Sequence, residues 1–143
     1  MKKILVVVCL VLLMATFVSV EHTAAAARFV KNNNGTVTDT ETGLMWADRD
    51  NGSDINWSNA KIYCEGYIGG GKSGWRMPTI AELRNLHGSG AYGSVIAKTD
   101  WFVWSSETSD SDAAGFYFYS GFRGWFRQSL DFGYRALPVR IGK

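Results

Sequence analysis

The chain has 143 residues, with 15 Lys and Arg against 13 Asp and Glu and a net charge of +2. So even a balance argues against a nucleic-acid binder and against a strongly anionic surface, and two cysteines cannot build a disulfide-stapled scaffold. The length suits one domain with one modest core.

The first residues divide from the rest by composition. Lys2 and Lys3 precede an apolar run from Ile4 to Val20 and a small-residue exit through Ala24 to Ala27. This is the pattern of a secretory signal, so residues 1–27 are expected to be removed and the mature chain to begin near Arg28. The expectation is an exported protein, periplasmic, surface-bound or secreted, with no membrane contact after cleavage. An uncleaved anchor is the other reading of the same run. Residues 28–143 then form a single domain. Without Lys2, Lys3 and Glu21 its net charge is +1, and it keeps one cysteine, Cys64, and one histidine, His87. Cys64 reads as a buried small apolar side chain, with a reactive or intermolecular thiol as the alternative.

In chain order, Arg28 to Val30 and Thr36 to Thr38 predict a hairpin closed tightly at Asn34-Gly35. A turn at Thr42-Gly43 leads to a short buried strand, Leu44 to Ala47. Asp48 to Asp54 alternates carboxylates in the manner of a calcium loop but lacks the closing bidentate glutamate, so it is read as a solvated loop. From Trp57, apolar residues at 60, 64 and 67 recur at helical spacing, with Ser58 placed to cap the helix and Gly66, then Gly69 to Gly71, ending it.

Gly71 to Leu83 is the hinge of the chain. Pro78 keeps Met77 extended, and Thr79 with Glu82 three residues on forms a capping box, so a strand hands over to a helix there. Ile80, Leu83 and Leu86 give that helix one apolar face, and His87 near its end reads as a favourable C-terminal charge or a packed ring. A loop of small residues runs from Gly88 to Lys98. Trp101 to Ser106 is a strand, and Glu107 to Asp112 reads as acidic and exposed. Ala113 to Tyr119 and Phe122 to Gln128 form the clearest hairpin. Alternation puts Arg123, Trp125 and Arg127 on one face of its second arm and Phe122, Gly124 and Phe126 on the other. Tyr134 to Ile141 is a final strand, with Pro138 marking an edge or an irregular position.

Several blocks together resemble the Lcl C-terminal domain family. They are Gly35 to Asp39 with Thr42 to Trp46, Trp57 to Ala60 with Tyr63-Cys64, Gly74 to Thr79 with Glu82-Leu83, Trp104 to Ser106, and Arg135 to Arg140. The resemblance implies an α+β, C-type-lectin-like fold: two small antiparallel sheets with two helices, and termini brought together by the first and last strands. The family is named after a collagen-like surface adhesin, which implies ligand binding more than chemistry. Many members carry a second cysteine near the end that can pair with the one in the first helix, but Pro138 stands there in this chain. The absent bridge forgoes about 3 to 5 kcal/mol on the chain-entropy account. The Glu-Pro-Asn, Gln-Pro-Asp and Trp-Asn-Asp blocks of calcium-dependent lectins do not occur, so lectin activity does not transfer with the fold.

For function, the last hairpin stands out. From Gly121 to Lys143 five basic side chains face one acidic, interleaved with aromatics. Aromatic faces stack on sugar rings and guanidinium groups grip sulfate or carboxylate in pairs, so Arg123, Trp125 and Arg127, with Tyr134, are the candidate ligand-binding residues. The expectation is a non-enzymatic domain that binds an anionic glycan or a cell-surface protein, without cofactor, metal or nucleic acid. The alternative is a structural subunit of an envelope or surface assembly. Ser105 and Ser106 have only His87 as a base and no nucleophile turn, which disfavours an enzyme.

Overall fold

The structure is a computed structural model that describes residues 28–143, so the expected signal over residues 1–27 lies outside the described residues. One sheet contains β1 (Phe29–Lys31), β2 (Thr36–Asp39), β3 (Leu44–Ala47) and β8 (Val139–Ile141) in that order, all antiparallel. The other contains β6 (Phe122–Arg127), β5 (Asp112–Tyr117), β4 (Phe102–Ser109) and β7 (Tyr134–Arg135), with β7 parallel to β4. Two helices, α1 (Trp57–Glu65) and α2 (Ile80–Ser89), complete an α+β fold. The second sheet is therefore mixed rather than antiparallel.

The final strand expected from Tyr134 to Ile141 is two strands in two sheets. Pro138 has no N–H for a ladder, and the chain crosses between the sheets there while the Pro138 carbonyl accepts from the Ala47 N–H at 2.9 Å. β8 pairs with β3, so the first and last strands occupy opposite edges of their sheet and do not meet. The first hairpin is also wider than a two-residue turn. Lys31 pairs with Val37, and Asn32 closes the loop by donating to the Thr36 and Thr38 hydroxyls, both at 2.9 Å. The acidic stretch after Ser106 continues β4 to Ser109 and turns at Asp110, where φ is 51°. Asn56 caps α1 in place of Ser58, accepting from the Asn59 N–H at 3.0 Å.

The helix start at the hinge forms as its sequence predicts, but the extended piece before it is a single bridge of Arg76 with Val139, not a strand. The Thr79 hydroxyl accepts from the Glu82 N–H at 3.2 Å, and the Glu82 carboxylate accepts from the Thr79 N–H at 2.8 Å. The same carboxylate takes both Arg76 guanidinium nitrogens, at 2.6 and 2.9 Å. Arg76 and Val139 exchange backbone hydrogen bonds at 2.9 and 3.0 Å, which ties β8 to the start of α2.

The second sheet separates two apolar clusters. On one face Val103, Ala114 and Phe116 pack with Leu83 and Leu86 of α2 and with Val37, Trp46 and Val139 of the first sheet. On the other, Trp104, Ala113 and Tyr134 pack with Ala60 and Cys64 of α1. β6 pairs only with β5 and forms the outer edge of that sheet.

Candidate functional site

Because β6 is an edge strand, both of its faces are partly open to solvent, where sequence alternation predicts a single outer face. Arg123, Trp125 and Arg127 pair with Phe116, Ala114 and Asp112 of β5 and share the α2 side of the sheet. Trp125 is 44% exposed, and the Arg123 guanidinium sits 4.6 Å from its ring centroid, a cation–π arrangement. Arg123 lies 3.7 Å from Glu107 and Arg127 lies 4.0 Å from Asp112. Such long pairs between solvent-accessible groups contribute at most about 1 kcal/mol, so both guanidinium groups remain open to a better acceptor.

Tyr134 does not join them. It is 7% exposed and stacks on Trp104, centroids 4.2 Å apart and planes at 15°, on the opposite face under α1. The basic excess counted along the sequence also disperses. Arg135 is buried and pairs with Asp54 at 2.7 Å, and Arg140 donates to the Ser73 carbonyl at 2.9 Å.

The α1 side of the same sheet carries residues that sequence reasoning missed. Tyr134, Phe102, Tyr117 and Phe122 are register partners, one aromatic from each of the four strands. The row runs from buried Tyr134 to Phe122, which is 56% exposed. Tyr119, 72% exposed, continues it past the end of β5, 6.0 Å from Tyr117 and 5.7 Å from Trp101. Beside the row Gly115 faces Gly124, and the Phe126 ring lies over both: a Cβ at Gly124 would come within 2.7 Å of it. Alternation of 117 and 119 along the chain was the available signal. Trp101 joins them only through the pairing of β4 with β5.

The remaining candidates are engaged within the fold. Asp50 is buried, accepting from the Thr99 N–H and hydroxyl at 2.6 and 2.7 Å and from the Tyr92 hydroxyl at 2.9 Å. Asp54 instead receives Arg135 and the Gly133 N–H, and the Arg135 hydrogen bond holds its carboxyl below the usual range. Arg135 donates in turn to the Thr99 hydroxyl at 2.7 Å, so the loop read as solvated is anchored to β7. Asp48 pairs with its neighbour Arg49 at 3.0 Å, so the three carboxylates engage separate partners. Burial pushes the Cys64 thiol up to about 12, leaving little thiolate near neutral pH. The His87 ring packs edge-on against Phe116 at 5.6 Å. The Ser105 hydroxyl donates to the Ala114 carbonyl at 2.8 Å.

An open groove of about 710 Å³ lies between the first hairpin loop and the end of α1, flanked by exposed Ile62 and Ile68. Two hydrogen bonds tie its walls together: the Tyr67 hydroxyl donates to the Gly35 carbonyl at 2.6 Å and the Gly70 N–H to the Asn34 carbonyl at 3.0 Å.

No curated protein matches the sequence. One family model does, that of the Lcl C-terminal domain, over residues 35–140. This span starts just before β2 and ends within β8, and it includes the hinge, both helices and all of the second sheet. The chain belongs to the Lcl C-terminal domain family.

Proposed function

We propose that the chain is an exported, non-enzymatic ligand-binding domain of C-type-lectin-like character, whose Arg123, Trp125 and Arg127 face takes an anionic glycan. The observation that carries this reading is Trp125, 44% exposed on a paired strand between two guanidinium groups. A paired strand holds the three side chains at fixed spacing, which reduces the ordering cost of binding. Sulfate and carboxylate groups accept two parallel N–H bonds from a guanidinium, a geometry that Glu107 and Asp112 do not reach at 3.7 and 4.0 Å. The signal-like composition of residues 1–27 supports export. The non-enzymatic reading is supported by Ser105, Cys64 and His87, all engaged in packing or internal hydrogen bonds.

The test is binding to immobilised heparin by wild type and by the Arg123→Ala, Arg127→Ala double variant. The variant is expected to bind at least about tenfold more weakly, a difference of about 1.4 kcal/mol, with an unchanged melt. Equal binding would sink the site. A second reading, a subunit of an envelope or surface assembly, is favoured by the open edge of β6, whose six residues pair on one side only. Light scattering and cross-linking of the exported protein in its native envelope would favour that reading if the protein is recovered only in a larger complex.

A further inference from the structure

We infer that Asn34 is a self-modification site, at which the side chain cyclises onto the Gly35 nitrogen and reopens to aspartate and isoaspartate, and that the fold spares the chain's other Asn-Gly pair, Asn51-Gly52. The two pairs share one local chemistry. A glycine after an asparagine has no Cβ to crowd the attack of its backbone nitrogen on the side-chain amide, which makes such pairs prone to close. Gly35 and Gly52 also share a positive φ, 86° and 77°. The hydrogen bonds around each amide are what separate them.

At Asn34 the nucleophile is free and the amide is polarised. Asn34 is exposed in the loop of the first hairpin, and the Gly35 N–H makes no hydrogen bond to a described residue, so it has no protein partner to give up. The Thr36 hydroxyl donates to the Asn34 Oδ1 at 2.6 Å and itself accepts from the Asn32 Nδ2 at 2.9 Å. Thr36 is 1% exposed, so this relay is held in place and weakly screened, and it draws electrons from the Asn34 amide carbon as a general acid does. At Asn51 the corresponding groups are occupied. The Gly52 N–H donates at 2.9 Å to the Asp50 carboxylate, whose negative charge opposes loss of that proton. The Asn51 Nδ2 donates to the Ser53 carbonyl and its Oδ1 accepts from the Ala136 N–H, both at 2.8 Å. Ring closure there breaks the tie between this loop and the segment after β7.

The chemistry is a ring closure followed by hydrolysis. The Gly35 nitrogen gives up its proton and bonds to the Asn34 Cγ, the side-chain nitrogen leaves with a proton as ammonia, and a succinimide remains. Water then opens the ring at either carbonyl. Opening at Cγ gives aspartate, and opening at the backbone carbonyl gives isoaspartate, whose main chain runs through the former side chain and is longer by a methylene. Asn34 and Gly35 line the groove beside α1. The Asn34 carbonyl accepts from the Gly70 N–H, and the Gly35 carbonyl accepts from the Tyr67 hydroxyl and the Asp48 N–H. In isoaspartate the Asn34 carbonyl becomes a free carboxylate and the path to Gly35 lengthens, so these ties slacken and the groove gains a negative charge.

The test is ageing of the exported protein, folded and in denaturing urea, followed by peptide mapping with mass spectrometry and by isoaspartyl methyltransferase labelling. In the folded protein Asn34 is expected to convert at least about tenfold faster than Asn51, and in urea the two rates are expected to agree within about threefold. Thr36→Val is expected to slow conversion of Asn34 about tenfold, and Thr36→Ser, which keeps the hydroxyl, to convert as wild type does. The comparison of Asn34 with Asn51 needs no variant and stands even where Thr36→Val does not fold. Hydrogen exchange at Gly70 is expected to quicken in the isoaspartyl fraction. The inference is overturned if Asn34 converts no faster than Asn51 in the folded protein, if urea leaves their ratio unchanged, if a folded Thr36→Val protein converts as fast as wild type, or if Gly70 stays as protected in the isoaspartyl fraction as before ageing.

Discussion

Two Trp and Arg groupings in this chain are made of the same residue types and stand in opposite surroundings. At the hinge, Trp75 is 3% exposed, its indole N–H donates to the Lys72 carbonyl at 2.9 Å, and its ring meets Tyr67 edge-on at 4.8 Å. Arg76 beside it grips Glu82 with both guanidinium nitrogens. On β6, Trp125 is nearly half open and its two arginines reach their carboxylates only at 3.7 and 4.0 Å. Residue type does not separate the packed grouping from the open one here. The separation comes from burial and from whether each polar group already has its best partner inside the fold. Local sequence shows the difference in part, because the hinge residues border a capping box that needs them.

The largest expected effect is at the hinge. Trp75→Ala removes a buried aromatic and is expected to destabilise the domain by about 3–5 kcal/mol in chemical denaturation. A fully stable Trp75→Ala protein would break the contrast with Trp125. Next is Glu82→Ala, which removes one half of the capping box and the acceptor of Arg76, for about 1–2 kcal/mol. If Glu82→Ala melts like wild type, the box is decorative and the hinge is held by the Arg76 and Val139 backbone pairing alone.

The same carboxylate sets a pH dependence. Burial raises the Glu82 pKa, but hydrogen bonds from Arg76 and from the Thr79 N–H outweigh it and leave the group below its ordinary value. Asp39 behaves alike: burial raises it, and the Arg28 and Thr42 hydrogen bonds lower it further. Groups with depressed folded-state pKa values contribute stability that is present above the ordinary carboxylate range, about pH 4, and is lost as the pH falls through the lower folded value. The midpoint of thermal unfolding is therefore expected to drop on acidification below that range. Glu82→Gln should show a shallower drop than wild type, and identical slopes would remove Glu82 from the account.

What the sequence disclosed follows the range over which each feature is encoded. The capping box lies within four residues, Thr79 to Glu82, and the β5–β6 hairpin runs only from Asp112 to Arg127, so both were legible. The two-sheet division of the last strand was not, because it depends on whether Tyr134 finds β4 and Val139 finds β3. Asp50 looked like a loop carboxylate because its partner Thr99 is 49 residues away. Tyr134 was grouped with Trp125 by proximity in sequence, yet β7 turns it to the other face of the sheet. The edge-on contact of Trp101 with Tyr119 was hidden for the same reason: the alternation of single strands is local, and their alignment side by side is not.

The smallest expected effects on stability are on β6, and Trp125 decides the comparison most directly. With nearly half of its surface open and Ala114 as its cross-strand partner, Trp125→Ala should cost less than about 1 kcal/mol, in the range of substitutions made away from the core. Arg127→Ala, at a largely exposed side chain, should change stability by no more than about 0.5 kcal/mol. Heparin binding should fall in both variants while the melts stay near wild type, the reverse of the order expected at Trp75. If Trp125→Ala instead unfolds the domain as readily as Trp75→Ala, its ring is packing the edge of β5 and the β6 face reverts to scaffold. The guanidinium 4.6 Å above that ring would then be shielding an apolar surface from water, with no ligand required to explain it.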